Sequence, residues 1–472
     1  MSVPATATPA SALGARDQLT LALDRAAGAR PIEGNRLEHH PDSPRALDAM
    51  LAAIAAARHW VHFENYIIRD DATGRRFADA LAERARAGVR VRVLYDALGS
   101  FGTSRRYWRR LTQAGAEVRA FHPLLTRHAL DLLARDHRKL LVADGVWAMT
   151  GGLCIGDEWA GDPARGRRPW RDTMVAVSGP AASALDGTFA RIWRRAGAAL
   201  PPDELDADPA SNGDSTVRVV EGVPGRARVY RAVELLVASA AERLWITDAY
   251  LIAPAPLYAS LLDAARSGVD VRLLVPGATD LPVLRNFTRI GYRDLLRAGV
   301  RVYEYQGPMI HAKTMLVDRR WARVGSSNLN VSSLLTNYEL DLTAECEVLT
   351  EELARQFRRD LASSREIVLQ PRRMRLPARL AAGTAPDEGD TPHKRSGYEL
   401  GAVAVVALRR VAGGLRRAIA ATAALGCAVV GSLLLVFPRI MGIVFAAGAF
   451  TLALAFAAYA LERRRARDSD DG

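Results

Sequence analysis

Cysteine is nearly missing from this chain. Only Cys154, Cys346 and Cys427 occur in 472 residues, far apart and without a C-x-x-C pair. That argues against a disulfide framework and against a zinc site, and it allows a reducing compartment. Lysine is scarcer still relative to the charge: of 64 basic side chains, only Lys139, Lys313 and Lys394 are lysines. An arginine bias is compositional in origin, yet it makes each lysine a marked choice. The first thirty residues lack the basic start and apolar run of a secretory signal. Residues 1–30 read as a leader, disordered over 1–14.

What is present bounds the answer further. A hydrophobic fraction of 49% supplies real cores, and the length requires two or three domains. The net charge of +12 favours anionic partners, whether nucleic acid, acidic lipid headgroups or phosphorylated small molecules. Charge alone does not choose among them.

An internal repeat governs the first 370 residues. The segment 57–68, ARHWVHFENYII, returns as AERLWITDAYLI at 241–252. LAERARAGVRVRVLYDALG (81–99) returns as LLDAARSGVDVRLLVPGA (261–278), and LTQAGAEVRAFHP (111–123) as LLRAGVRVYEYQG (295–307). HRKLLVAD (137–144) returns as HAKTMLVD (311–318). Within each copy, amphipathic helices ending near Gly88 and Gly268 alternate with β-rich runs. The pattern predicts a duplicated α/β sandwich with a parallel or mixed sheet. Its lobes span 31–200 and 217–370, joined by a polar linker at 201–216.

The C-terminal quarter is different material. After a second linker, 371–398, residues 418–437 and 440–461 carry no charge and are split only by Pro438 and Arg439. Each run meets the roughly 20 residues needed to cross a hydrocarbon core. Arg409, Arg410, Arg416 and Arg417 flank one end, and Arg463, Arg464, Arg465 and Arg467 the other. The expectation is a transmembrane hairpin over 418–461 with both flanks cytoplasmic, preceded by an interfacial helix at 399–417 and followed by a tail, 462–472.

Each lobe carries His-x-Lys-x4-Asp, in segments 132–159 and 306–333: His137, Lys139, Asp144 and His311, Lys313, Asp318. Side chains two apart in a strand share a face, so each histidine projects with its lysine. Imidazole is a nucleophile and proton carrier near neutral pH, and an ammonium neutralises a phosphate oxygen. If the two copies converge, one histidine attacks phosphorus while the other protonates the leaving oxygen. A lone His-x-Lys is common. Two of only three lysines landing in both copies is about a 1-in-700 coincidence if basic identities are shuffled.

With these motifs the chain resembles the phospholipase D superfamily over about residues 35–370, and most closely its bacterial cardiolipin synthase branch of the B type. The flanking segments RDDATGRRFADAL (69–81), LYDALGSFG (94–102), DEW (157–159), RPWRDT (168–173) and GSSNLNVSSLLTNYEL (325–340) carry that likeness. The resemblance implies phospholipase D-like α/β/α lobes related by a pseudo-twofold axis. It also implies a two-step transfer of a phosphatidyl group through phosphohistidine, with no metal and no cofactor. By the same resemblance His137 is the nucleophile and His311 the acid and then base, an order open to reversal. Lys139 and Lys313 clamp the phosphate, Ser327 and Asn328 add donors, and Glu339 and Glu158 orient the histidines. Asp144 and Asp318 hold the motif loops. The implied partners are anionic phospholipids, phosphatidylglycerol and cardiolipin, at a bacterial inner membrane, with phosphatidylethanolamine an alternative donor and nucleic acid not expected.

One position departs from the pattern. Cys154 stands where the family usually offers asparagine, and cysteine is a poor donor. Nothing beside it supplies the base of a catalytic cysteine. Two other readings stay open: a hydrolase or nuclease using the same site, and a catalytically silent scaffold, which the intact motifs argue against.

Overall fold

The computed structural model describes residues 15–123 and 134–369. The expected linker 371–398, interfacial helix, hairpin and tail lie outside the described residues. Among those residues no helix is long and apolar enough to cross a membrane.

The repeat becomes a repeated strand order. From its outer edge the first half runs Glu117–Phe121, Arg90–Asp96, Trp60–Asn65, Lys139–Ala143, Trp147–Gly151, Met174–Ser178, Ile32–His40. The second half runs Arg301–Tyr305, Asp270–Pro276, Arg243–Thr247, Thr314–Val317, Trp321–Gly325, Glu339–Glu345, Ser215–Gly222, which is the same order, with Ser364–Ile367 added outside. The outer three strands of each half are parallel and the rest antiparallel, so the sheet is mixed. The halves meet where Ile32–His40 pairs antiparallel with Ser215–Gly222.

Local chemistry sets these elements. Helix Ala72–Arg86 opens on Asp71, whose carboxylate accepts the Gly74 N–H at 2.8 Å. It buries Phe77, Ala78, Leu81 and Ala82 on one face and ends just before Gly88, whose φ is +88°. Its repeat mate Ala255–Arg266 ends before Gly268, with φ +92°. Helices cover both faces of each half. Ser43–Ala56 and Ala72–Arg86 close one face of the first half, and Pro180–Arg195 closes the other. The core under Pro180–Arg195 continues into the second half, where Val175 and Val177 belong with Val324, Leu342 and Phe357.

Two boundaries differ from expectation. The leader contributes helix Ala15–Ala27, whose Leu23 and Ala27 are buried in the second-half core with Val229 and Val233. The 201–216 stretch starts not as a tether but as a turn, Pro202–Glu204, that buries Glu204 against His62 and Arg92. A carboxylate there neutralises an arginine that the sheet half-buries, which composition could not show.

Candidate active site

Both motif histidines sit at the entrance to a strand, at the carboxyl ends of the parallel strands, where ligands of open α/β sheets bind. Lys139 opens its strand opposite Asn65, and Thr314 opens its own opposite Thr247. His137 and Lys139 share one aromatic neighbour: the imidazole meets the edge of Tyr66 at 4.8 Å between centroids, and Nζ lies 5.0 Å from the same ring. His311 and Lys313 repeat this on Tyr250, at 6.0 and 5.9 Å. The same-face expectation therefore holds.

The halves are stitched together at the histidines. His137 N–H donates to the Tyr338 carbonyl at 2.9 Å, and His137 Nδ1 lies 3.0 Å from the carboxylate of the next residue, Glu339. His311 N–H donates to the Arg171 carbonyl at 2.7 Å, and His311 Nδ1 lies 2.7 Å from the next residue, Asp172. Backbone and side chain of each histidine are thus fixed by the opposite half. A carboxylate on Nδ1 holds the proton there and leaves Nε2 with its lone pair toward the cleft.

Asp172 corrects the sequence reading, which gave this role to Glu158. Glu158 is 37% exposed at its side chain and faces Arg69 at 3.5 Å. Asp172 lies just before strand Met174–Ser178 as Glu339 heads its repeat mate, and it was visible in RPWRDT once the repeat is followed past the lysine. The shorter Asp is approached by Gly152, where a Cβ would come within 2.3 Å of its Oδ1, and Trp159 Nε1 donates to it at 3.2 Å. In the second half Ser326 takes the place of Gly152 and its hydroxyl donates to Glu339.

The two motifs lie within electrostatic reach of one another. Burial pushes the His137 imidazole below its usual range; Glu339 opposes, and Lys139 and Lys313 add to the push. Burial, Lys313 and Lys139 hold His311 down at about 4, against Asp172. Each imidazole therefore feels the lysine of the other half. Burial also lowers Lys313 to about 8, helped by Lys139. For Glu339 burial acts upward, but His137 and Lys139 outweigh it and keep the carboxylate ionised.

The remaining residues divide by position. Ser327 Oγ and Asn328 Oδ1 are buried and make no hydrogen bond among the described residues, so their capacity is uncommitted. Cys154 lies at the place matching Asn328, fully buried, with Lys139 and Lys313 acting on it; burial pushes its thiol up and keeps it neutral. Asp144 and Asp318 stand at the opposite end of their strands. Asp144 accepts the N–H groups of Arg58, His59 and Trp60 at 2.7–2.9 Å; Asp318 accepts those of Ala241, Glu242 and Arg243 at 2.8–3.2 Å. Both adopt left-handed backbones, with φ of 54° and 52°. They tie the motif hairpins to the neighbouring strand and are far from the histidines in register.

The family described as "Cardiolipin synthase, PLD-like domain" matches residues 50–193 and 234–361, which contain every one of these groups. The chain belongs to the phospholipase D superfamily. Within it, cardiolipin synthase A of Pseudomonas aeruginosa is 35% identical over 347 residues, covering 72% of this chain and 70% of that protein. A cardiolipin synthase of Alkalihalophilus pseudofirmus is 32% identical over 364 residues, 75% and 72% of the two chains. The fold of this phospholipase D-like chain also matches the crystal structure of phosphatidylserine synthase from Haemophilus influenzae Rd KW20, with a TM-score of 0.59 at 14% identity, over 74% of this chain and 92% of that one. This member is a phospholipase D-type phosphatidyltransferase.

Proposed function

We propose that the chain makes cardiolipin, moving a phosphatidyl group from phosphatidylglycerol, or from phosphatidylethanolamine, to the hydroxyl of a second phosphatidylglycerol. The observation that carries this reading is the pair of imidazoles, each with Nδ1 held by a carboxylate of the opposite half. His137 Nε2 attacks phosphorus, the bond to the leaving alcohol breaks, and His311 gives that oxygen a proton. His311 then takes a proton from the acceptor hydroxyl, which attacks phosphorus and breaks the phosphorus–nitrogen bond. Both imidazoles start neutral because of burial and the lysines; the negative charge of a bound phosphodiester raises their proton affinity, so one can be charged in the complex. Lys139 and Lys313, each donating to its own histidine's carbonyl, keep further protons for the phosphate oxygens. Ser327 and Asn328 add donors from the second half.

The cardiolipin synthases among its relatives support a membrane-associated enzyme. The charge-free runs within 418–461, with arginines at both flanks, support a hairpin anchor in a bacterial inner membrane with the catalytic halves on the cytoplasmic side.

Purified full-length protein given labelled phosphatidylglycerol in mixed micelles is expected to release glycerol and form cardiolipin. Absence of cardiolipin with either donor sinks the proposal. Phosphatidic acid as the sole product would make the chain a hydrolase, and cleaved oligonucleotide a nuclease.

A further inference from the structure

A loop packed against Tyr66 of the first-half site carries apolar side chains into solvent. It follows strand Arg90–Asp96, and Ser100 fastens it to the site: Ser100 Oγ donates to the Tyr66 carbonyl at 3.2 Å and accepts the Ile68 N–H at 3.0 Å. Tyr66 is the ring against His137. On this anchored loop Phe101 is 73% exposed and Leu98 48% exposed. An ordered loop that shows a phenylalanine to water beside a catalytic cleft has an unfilled use.

The next element supplies the matching charge. Helix Arg105–Gln113 buries Tyr107 and Leu111 and turns its arginines outward. Arg110 pairs with Asp79, but Arg105, Arg106 and Arg109 are exposed and form no ion pair among the described residues. Three exposed guanidinium groups within eight residues of an exposed phenylalanine make a basic, apolar stretch. The second half shows a smaller counterpart. Asp280 accepts the hydroxyl of Tyr250 at 2.7 Å, and the adjacent Leu281 is 47% exposed.

We infer that Leu98 and Phe101, with Arg105, Arg106 and Arg109, form a docking edge that seats the cleft on an anionic lipid surface. Phe101 enters the boundary between headgroups and acyl chains, and the arginines lie on the phosphates. The edge sits one loop from His137, so docking opens the cleft directly to lipid instead of to water. This rests on the phosphatidyltransferase reading of the site.

The test uses the full chain reconstituted in vesicles of phosphatidylglycerol and phosphatidylcholine. Turnover there is compared with turnover of dihexanoyl phosphatidylglycerol dispersed below its micelle concentration. Phe101→Asp, and separately the triple change of Arg105, Arg106 and Arg109 to Glu, are expected to cut the vesicle rate about tenfold and leave the dispersed rate within about twofold. Added salt should slow the wild type on vesicles and spare the triple variant. A second readout needs no turnover: the extra emission of Phe101→Trp should be quenched by brominated phosphatidylglycerol. If that quenching appears while the wild type makes no cardiolipin, the edge stands and the catalytic reading falls. An unchanged rate ratio with no quenching overturns the edge. Equal losses on both substrates, with a change in oligomeric state, would assign the face to a second copy and overturn it as well.

Discussion

Glu339 of the second half holds His137 of the first, Nδ1 to carboxylate at 3.0 Å, and the backbone of the preceding residue holds the backbone of the same histidine. Asp172 and His311 repeat the arrangement in reverse. The motif histidine of one half is therefore aimed by the other.

Removing the reacting imidazoles tests the division of labour. His137→Ala and His311→Ala are each expected to lower kcat by about 10³-fold or more, the range of lost nucleophilic or acid–base catalysis. With labelled donor, only the variant that keeps the nucleophile, His311→Ala, should retain label as an acid-labile phosphohistidine. Label retained by His137→Ala would reverse the assignment.

The orienting carboxylates separate Asp172 from Glu158. Asp172→Asn should cost about 10²-fold or more in kcat with KM nearly kept, because the wrong tautomer is favoured. Glu158→Gln, which loses only an exposed contact with Arg69, should stay within about twofold. Steady-state kinetics of the two variants decides the matter.

The pH profile follows from burial and the two lysines. With His137 displaced downward, the acid limb of kcat/KM should lie below the ordinary histidine value of about 6.5. Lowering the pH protonates the nucleophile, so the rate falls there. With Lys313 at about 8, a basic limb is expected near that pH as the clamp loses its charge. Lys313→Met removes a positive neighbour from both imidazoles, so it should move the acid limb upward while weakening activity. An acid limb that stays put would break the link.

Cys154 is expected to be a weak point in the phosphate site. Cys154→Asn restores a donor at the place matching Asn328, and a hydrogen bond to a charged group is worth about 1.5–3 kcal/mol. A fall in KM of about tenfold is therefore expected. The neutral, buried thiol should also resist thiol reagents in the folded enzyme.

Asp144 and Asp318 should matter for folding and little for chemistry. Alanine at either position abandons three backbone donors and a left-handed backbone, for a loss of about 2–4 kcal/mol in denaturant unfolding. Asparagine tolerates that backbone and should lose less.

Much of this was legible because duplication writes the fold twice. The repeat exposed equivalent strands, helices ending at Gly88 and Gly268, and two His-x-Lys pairs whose lysines stood out against arginine. Glu339 was found, but its mate was not. The repeat followed past the lysine reaches Asp172 as the mate of Glu339, but its contact with His311 joins opposite halves, which local spacing does not show. Glu158, in the DEW segment that carries the family likeness, took its place. Tyr66 and Tyr250 lay inside the quoted repeats unremarked, since an aromatic in a β-rich run ordinarily signals packing. Ser326 was passed over for its neighbour Ser327, because adjacent residues in an extended segment face opposite sides and only coordinates tell which faces Glu339.

The antiparallel seam between Ile32–His40 and Ser215–Gly222 carries a genetic consequence. A mutation in one copy of the duplicated ancestor changes the histidine at home but the carboxylate abroad. Neither copy can drift into idleness while the other works, because each stores a component the other consumes. Fragments cut in the 201–216 stretch would thus be inert alone and regain turnover only when mixed, as two genes that complement.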